Sequence, residues 1–260
     1  MADLISFSMH DLGLGNRIAE NRIDPAAINI IIGCHLLDID NTRNIPADTI
    51  FFNTEQIGGL GNPLWISRIR HFLSHFPSWD YSEENIRRLK DSGIGGTRLF
   101  KFGHHPKLNR IPNSEAKDID ILFYGCHSEA RQRLLDSMVA HGMKVSRLQG
   151  VFGAERDKYI ARSKIVLNLH LYETKVFEIV RVHYLMNNGK AILSQCDSNS
   201  KVDPNYSNGL TLAPYEDLIS TAQKILDSEH ERRLLEEKSL RQIMTLDAVE
   251  IMRELVGDSS

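Results

Sequence analysis

The pattern of apolar and polar residues changes character near the middle of the chain. From residue 118 onward, short apolar runs typical of buried strands alternate with segments whose apolar positions have helical spacing. The predicted strands are 119–124, 144–148, 164–170, 190–195 and 209–212, and the predicted helices are 129–141, 154–162, 175–188, 215–226 and 229–256. This alternation predicts βαβ units with right-handed crossovers, and therefore a parallel sheet with flanking helices.

The first part of the chain is less regular. It contains candidate strands at 28–33, 49–53 and 97–102, helices at 64–76 and 82–90, and a helix or loop at 10–21. A polar stretch, 103–116, is typical of an interdomain linker. We therefore expect an α/β protein with two Rossmann-like domains, at residues 1–112 and 113–260. The first of them is reduced, because it has too few clear strands for a complete Rossmann domain.

Composition narrows the class of protein. The 260 residues are 42% hydrophobic and 25% charged, which is typical of a globular chain with a core. With 31 Lys+Arg against 34 Asp+Glu, the net charge of −3 gives no general attraction to nucleic acid or anionic lipid. The apolar runs are shorter than the ~20 residues of a membrane span. We expect a cytoplasmic protein that has no integral membrane segment and binds no nucleic acid.

Cofactor motifs are missing from the sequence. The three cysteines form no CxxC pair, which argues against a disulfide framework or a structural zinc site. The turn after the strand at 119–124 lacks GxGxxG, and the chain has no GxxxxGK[ST], so binding of NAD, FAD or a P-loop nucleotide is disfavoured. We expect no cofactor and no metal. Asp38 and Asp40 form a DxD, and His71 and His75 have the spacing of a metal pair, but no other feature supports either site.

In a parallel sheet, ligands bind where the strands end. Gly125 permits a tight turn after the first strand of the regular half, and Ser128 can cap the next helix. Further on, Thr174 can cap a helix and leave three free amides for a phosphate, those of Lys175, Val176 and Phe177. Glu178 would lie one turn into this helix, where a carboxylate can accept hydrogen bonds from two ribose hydroxyls. The alternative is an ordinary surface pair between Glu178 and Arg181.

Several segments in a fixed order resemble a known family. They are 118–125 (DIDILFYG), 150–157 (GVFGAERD), 160–170 (IARSKIVLNLH), 177–182 (FEIVRV) and 190–194 (KAILS), joined in the first half by 52–56 (FNTEQ) and 79–82 (WDYS) with Asn85. Together they resemble GT-B glycosyltransferases, with the closest match to bacterial glycosyltransferase family 1 proteins. The implied fold has two Rossmann-like domains, of which the C-terminal one binds the nucleotide sugar and the N-terminal one faces the acceptor.

The resemblance implies a transferase that moves a sugar, without a metal, from a nucleoside-diphosphate sugar to an acceptor hydroxyl. The acceptor would be a glycan, a lipid-linked molecule or a small molecule, and the partner a second copy or another glycosyltransferase. Glu178 matches the carboxylate that holds donor hydroxyls, and the amides of 174–177 would meet the diphosphate. The cations that could neutralise the leaving group are Arg131, Arg156 and Lys164, and each has an alternative role as a solvated surface charge.

Candidate catalytic groups are three histidines. His104 and His105 lie in the expected linker, where one could deprotonate the acceptor hydroxyl, or both could belong to a polar hinge. Asn168 and His170 end a buried strand, and His170 is equally well explained as a structural histidine. Gln195 stands where many relatives have a second glutamate. With the short first domain, this departure leaves a second hypothesis, a non-catalytic nucleotide-sugar-binding partner subunit.

Overall fold

The chain divides into two units in the computed structural model, which describes residues 1–58, 62–112, 116–171, 176–197, 200 and 202–257. The described residues of the first unit lie in Met1–Phe102, at Val176 and from Ala248 onward. The second unit contains those of Gly103–Leu171 and Phe177–Asp247. The expected boundary was 112/113. In the structure, residues 103–112 belong to the second unit and the last helix belongs to the first.

The first unit is built around a parallel sheet of four described strands in the order β1-β2-β3-β4. Its elements up to the sheet edge are α1 (Ala2–Asp11), β1 (Ile30–Ile32), β2 (Ile50–Asn53), α2 (Pro63–His75), β3 (Ser78–Asp80), α3 (Glu83–Asp91) and β4 (Arg98–Leu99). The segment 10–21, expected as a helix or loop, contains the end of α1 at Asp11 and no further helix or strand. β3 was not predicted, since three residues with one apolar side chain carry no periodic signal.

The second unit has a parallel sheet in the order β6-β5-β7-β8-β9. Its elements are β5 (Ile119–Tyr124), α4 (Glu129–Ala140), β6 (Val145–Leu148), α5 (Gly153–Arg162), β7 (Ser163–Asn168), α6 (Ile179–Asn187), β8 (Ile192–Gln195), α7 (Pro204–Ser207), β9 (Thr211–Ala213), α8 (Leu218–Asp227) and α9 (Glu229–Ile243). The strand order reverses between β5 and β7, so a crevice is expected at their carboxyl ends.

The helix predicted at 229–256 is two helices. After α9, the carbonyl of Leu246 accepts a hydrogen bond from the backbone amide of His104 (2.7 Å). This carbonyl therefore does not take part in the hydrogen bonds of a continuous helix. The second helix, α10 (Ala248–Gly257), packs on α1 within the first unit. Arg98 on β4 holds its end by donating to the carbonyls of Leu255 (2.6 Å) and Glu254 (2.9 Å).

The described residues of the expected linker are fixed to the second unit. Two asparagines that end and follow α6 accept hydrogen bonds from the segment: the Asn187 side chain from the His105 amide (3.0 Å), and the Asn188 side chain from the amides of Arg110 (2.8 Å) and Ile111 (2.9 Å). Both asparagines are buried. Because buried amide groups are costly to leave unbonded, these contacts fix the segment's path, and residues 103–112 form part of the second unit.

Within the described residues, no helix is both long enough and apolar enough to cross a membrane.

A buried histidine in α6 makes the fold sensitive to acid. His183 is 1% exposed, and burial lowers its pKa to about 3. Below about pH 6.5 the unfolded chain binds a proton that the folded chain excludes, so stability falls as the pH drops from 6.5 towards 3, by up to about 1.4 kcal/mol per pH unit. We expect H183Q to flatten this slope in urea unfolding between pH 7 and pH 4.5. Replacing the exposed His141 in the same way should leave the slope unchanged; equal slopes for both variants would contradict the assignment.

Candidate functional site

Polar side chains gather where the strand order of the second sheet reverses. Gly125 follows β5, Asn168 ends β7, and Glu178 directly precedes α6. Because the carboxyl ends of parallel strands share one edge of the sheet, three separate chain segments meet here. These side chains therefore lie at the edge of the sheet where the βαβ pattern predicts a ligand site.

Helix α6 begins four residues later than the sequence predicted, at Ile179 and not at 175. The amide of Ile179 donates a hydrogen bond to the carbonyl of Phe177 (3.0 Å). This bond forms a tight turn, so the helix does not extend to the residues before Glu178. Glu178 is thus the residue before the helix and does not lie one turn inside it. Val176 and Phe177 are buried and precede the helix, so their amides are not helix-end donors. Thr174 and Lys175 lie outside the described residues.

The carboxylate of Glu178 is shared by two arginines. Its Oε1 lies 3.1 Å from Nη2 of Arg131, and its Oε2 lies 2.7 Å from Nη2 of Arg181. The Arg131 side chain is 3% exposed and that of Glu178 is 20% exposed, so the carboxylate remains reachable while one arginine does not. The predicted pair of Glu178 and Arg181 is therefore not an ordinary surface pair.

Arg131 fastens two loops to each other. Its Nη1 donates to the carbonyl of Cys126 after β5 (2.9 Å), and its Nε donates to the carbonyl of His170 after β7 (3.2 Å). The carbonyl of Leu169 accepts a further bond from Nη2. Burial lowers the pKa of Arg131, and the charge of Glu178 acts in the opposite direction. With most of its donors used on backbone carbonyls, Arg131 holds the crevice in shape.

Arg181 has more capacity left for a ligand. Its Nη1 donates to Oδ1 of Asn168 (2.8 Å), and the Asn168 amide donates to Ser194 on β8 (2.9 Å). Within the described part of the chain, its buried Nε has no hydrogen-bond partner, and the capacity left for a ligand lies in the second N–H of Nη1 and of Nη2. Gly125 makes room for the guanidinium: its φ is +148°, and a Cβ there would lie 2.9 Å from Nη2 of Arg181. Any larger residue at 125 would push Arg181 from its place.

A tyrosine that the sequence analysis missed lies between two guanidinium groups. The ring of Tyr124 is 5.3 Å from the central carbon of Arg181 and 5.4 Å from that of Arg156. Arg156 is held on its other side by Tyr184 (4.9 Å) and by Asp157 (3.1 Å). Burial raises the pKa of Tyr124 to about 12, and the two arginines act in the opposite direction. An aromatic residue at the end of a strand was the only signal that could have revealed it.

Two other predicted residues are structural parts of the same edge. The Ser128 hydroxyl accepts the Arg131 amide (3.3 Å) and caps α4, as predicted. The backbone amide of His170 donates to Oε1 of Gln195 (3.2 Å). Nε2 of the His170 ring lies 3.2 Å from the Ser200 hydroxyl. His170 therefore belongs to the loop that Arg131 fastens.

Three predicted residues lie elsewhere in the second unit. Lys164 is the second residue of β7, so it lies at the amino end of the strand, roughly 13 Å along it from Asn168. Its Nζ contacts a carboxylate oxygen of Asp120 (2.7 Å). The assignment of Lys164 to the ligand edge is wrong. His104 and His105 lie near the far end of α6, a helix roughly 13 Å long. The His105 ring accepts the Lys107 amide (3.2 Å), a structural role.

A cavity of about 230 Å³ opens beside β5 and β6. Its lining includes Gly125, Cys126, His127, Ser128, Arg131 and Arg147. On the same carboxyl side of β6, the ring of Phe152 is 76% exposed directly before α5. Among the described residues, no group of three or more His, Cys, Asp or Glu side chains is placed to hold a metal ion. Arg131 thus belongs both to the cavity lining and to the Glu178 cluster, whereas Glu178 and Arg181 are not among the residues that line the cavity.

No known family profile matches the chain. Among curated proteins, it is 26% identical over 183 residues to "Uncharacterized protein L140" of Acanthamoeba polyphaga mimivirus, covering 69% of this chain and 59% of that protein. It is 29% identical over 157 residues to protein L137 of the same virus, covering 59% of this chain and 21% of that protein. The chain therefore spans less than two thirds of the length of these relatives.

Solved structures resemble the chain more broadly. The crystal structure of TarM matches 98% of this chain and 57% of its own length, with a TM-score of 0.59 and 10% identity. HepE of Anabaena, solved in complex with UDP-glucose, matches 81% of this chain and 71% of its own length, with a TM-score of 0.59 and 10% identity. The fold is that of a GT-B glycosyltransferase-like α/β protein, and this expectation from the sequence is confirmed.

The hydroxyls of Tyr124 and Tyr184 differ in hydrogen bonding, so we expect their removal to affect stability differently. Within the described residues the buried hydroxyl of Tyr124 has no partner, whereas that of Tyr184 donates to Oδ2 of Asp157 (2.7 Å). A buried polar group without a partner costs free energy, so Y124F should leave stability unchanged or raise it. Y184F removes a hydrogen bond to a carboxylate and should lower the free energy of unfolding by about 1.5–3 kcal/mol. Urea unfolding of both variants checks this; a larger loss in Y124F than in Y184F would contradict it.

Proposed function

We propose that the second unit binds a nucleoside-diphosphate sugar and that the protein transfers the sugar to an acceptor hydroxyl. The observation that carries the proposal is the Glu178 carboxylate shared by Arg131 and Arg181 at the reversal point of the sheet. A nucleotide sugar presents both anionic phosphates and neutral hydroxyls. Guanidinium groups suit the phosphates, and a carboxylate suits the hydroxyls.

The charge balance of the crevice favours an anionic ligand. Three guanidinium groups, those of Arg131, Arg156 and Arg181, face two carboxylates, Glu178 and Asp157. One positive charge is therefore left over before a ligand arrives. Arg181 is the arginine we assign to the diphosphate, because its side chain is 12% exposed against 3% for Arg131 and each of its Nη groups uses one N–H on a protein partner. A phosphate that bonds Arg181 would release one oxygen of Glu178 to accept a donor hydroxyl.

In the proposed reaction, the acceptor oxygen forms a bond to the anomeric carbon while the bond from that carbon to the phosphate oxygen breaks. The electron pair leaves with the diphosphate, where the guanidinium groups stabilise the developing charge. This arrangement would allow transfer without a metal. The proton of the acceptor hydroxyl would pass to the imidazole of His170, which the proposal keeps of the three histidines because only this residue belongs to the loop that Arg131 holds. A cytoplasmic location stays a prediction from the sequence.

Uridine nucleotides are the first ligands to test, because HepE, which shares the fold, has been solved with UDP and with UDP-glucose. We expect UDP to stabilise the protein in thermal unfolding, since a ligand at 100 times its Kd adds about 2.7 kcal/mol. R181Q should weaken UDP binding about tenfold or more, because a charge-assisted contact is lost.

The matched control is R241Q, which removes an exposed arginine of α9 that pairs with Glu237. Its affinity for UDP should equal that of the wild type. If R181Q bound UDP as tightly as the wild type, the assignment of the crevice to the diphosphate would fail.

A second measurement, the release of UDP from UDP-glucose in the presence of a panel of acceptors, distinguishes a transferase from a non-catalytic binding partner. Binding without turnover supports a nucleotide-sugar-binding partner, and turnover that is lost in R181Q supports the transferase.

A further inference from the structure

Arginines and aromatic rings alternate in a series of contacts within the second unit. The members, in order of contact, are Arg131, Phe123, Arg181, Tyr124, Arg156 and Tyr184. The distances from guanidinium carbon to ring centroid along this series are 5.1, 5.8, 5.3, 5.4 and 4.9 Å. Each lies within the ~6 Å over which a cation is attracted to the face of a ring. We call these residues the arginine–aromatic row.

The two central rings of the row come from neighbouring residues of β5. Successive side chains of a strand leave on opposite faces of the sheet, so Phe123 and Tyr124 point to different sides. Phe123 is 4% exposed and belongs to the apolar core that includes Leu134 of α4. The Arg181 guanidinium contacts both rings. It therefore lies over the end of the strand, where side chains from both faces are within reach.

The glycine that follows β5 allows this close packing. A Cβ at Gly125 would lie 2.9 Å from Nη2 of Arg181, 3.5 Å from Cζ of Phe123 and 3.6 Å from Nη1 of Arg131. A single point beside the strand end is thus within contact distance of two guanidinium groups and one ring. Because residue 125 has no side chain, the three groups can meet there.

The rings lie between groups of like charge. Three guanidinium groups, those of Arg131, Arg181 and Arg156, share two carboxylates, those of Glu178 and Asp157. Like charges at such short range repel each other, and they do so more strongly away from water. The face of an aromatic ring is the negative part of its quadrupole, so a ring between two guanidinium groups attracts both. The rings therefore add the attraction that two carboxylates leave incomplete.

A ring and a carboxylate hold an arginine in different ways. A carboxylate oxygen occupies an N–H donor, whereas the attraction to a ring face acts on the charge of the whole guanidinium. Arg181 gives one N–H of Nη1 to Asn168 and one of Nη2 to Glu178, and the second N–H of each remains for a ligand. When a phosphate takes the place of Glu178, the two ring contacts persist. Arg181 then stays in position while its partner changes.

We propose that Phe123 and Tyr124 are positioning residues of the anion site: their rings hold Arg181 in place and leave its N–H donors for the phosphates of the ligand. Neither ring touches the ligand, and both act through Arg181. The inference rests on the proposed function for the identity of the ligand as a nucleoside diphosphate. The chemistry that it requires is only a phosphate anion, so inorganic pyrophosphate tests it without a base or a sugar.

The test is a calorimetric titration of the full chain with pyrophosphate, UDP and uridine, one at a time. Y124L, which replaces the ring by an aliphatic side chain, should weaken the binding of pyrophosphate and UDP about fivefold or more, because Arg181 loses one of its ring contacts. F123L should act in the same direction. Uridine carries no phosphate and should bind Y124L as it binds the wild type, whereas a merely structural role of the ring would weaken both nucleotide ligands together. Y124F keeps the ring and should restore the wild-type affinity for pyrophosphate.

The matched control is Y159L, which removes a tyrosine ring that contacts Arg162 (5.9 Å) at the far end of α5. Its affinity for all three ligands should equal that of the wild type. Cooperative urea unfolding shows that each variant is folded.

Two results would overturn the inference. One is a folded Y124L that binds pyrophosphate and UDP as tightly as Y124F does, and the other is a wild type that binds neither ligand. The outcomes also separate this inference from the proposed function. Loss of UDP binding in R181Q with none in Y124L overturns the inference alone. Binding of pyrophosphate that depends on Tyr124, with no binding of UDP, overturns the proposed function alone.

Discussion

The bond between one carboxylate and two arginines organises the second unit. Glu178 bonds both Arg131 and Arg181; Arg131 holds the loops after β5 and β7, and Arg181 holds Asn168 at the end of β7. Burying such charges is costly unless each is paired and hydrogen-bonded. The requirement explains why a glycine lies at 125, why Asn168 is bonded to Ser194, and why the loops after β5 and β7 stay together.

The two units place different polar groups at the carboxyl ends of their strands. Both collect polar side chains at the carboxyl ends of parallel strands, where the backbone leaves the sheet and side chains can converge. The second unit uses charged guanidinium groups, which leave a positive balance. The first uses neutral amides around the buried Asp80, whose pKa burial raises to about 7 against the hydrogen bonds of Asn53, Ser82 and Asn85. One edge is therefore suited to an anion, and the other holds a buried carboxylate among neutral amides.

Much of the second unit was predictable, because its strands and helices are long enough to show a period. β5 was predicted to the residue, and Arg131, Asn168, Glu178 and Arg181 were all placed near strand ends before their contacts were known. The failures have local causes. Lys164 was misplaced because the sequence does not show which end of a strand a cation occupies. The start of α6 was misplaced because a tight turn at Phe177 does not interrupt the helical spacing of apolar residues. Tyr124 was missed because its role depends on contacts with residues distant in sequence, such as Arg156 and Arg181.

The return of α10 to the first unit has a consequence for biosynthesis. The helix that packs on α1 is formed by residues 248–257, so the first unit is discontinuous in sequence and needs residues made after the whole second unit. Chains emerge from the ribosome from the N-terminus, and a domain usually folds once its own residues are available. Here the order is reversed: the unit that begins the chain is the last one whose residues are complete. Until then α1 lacks its partner helix.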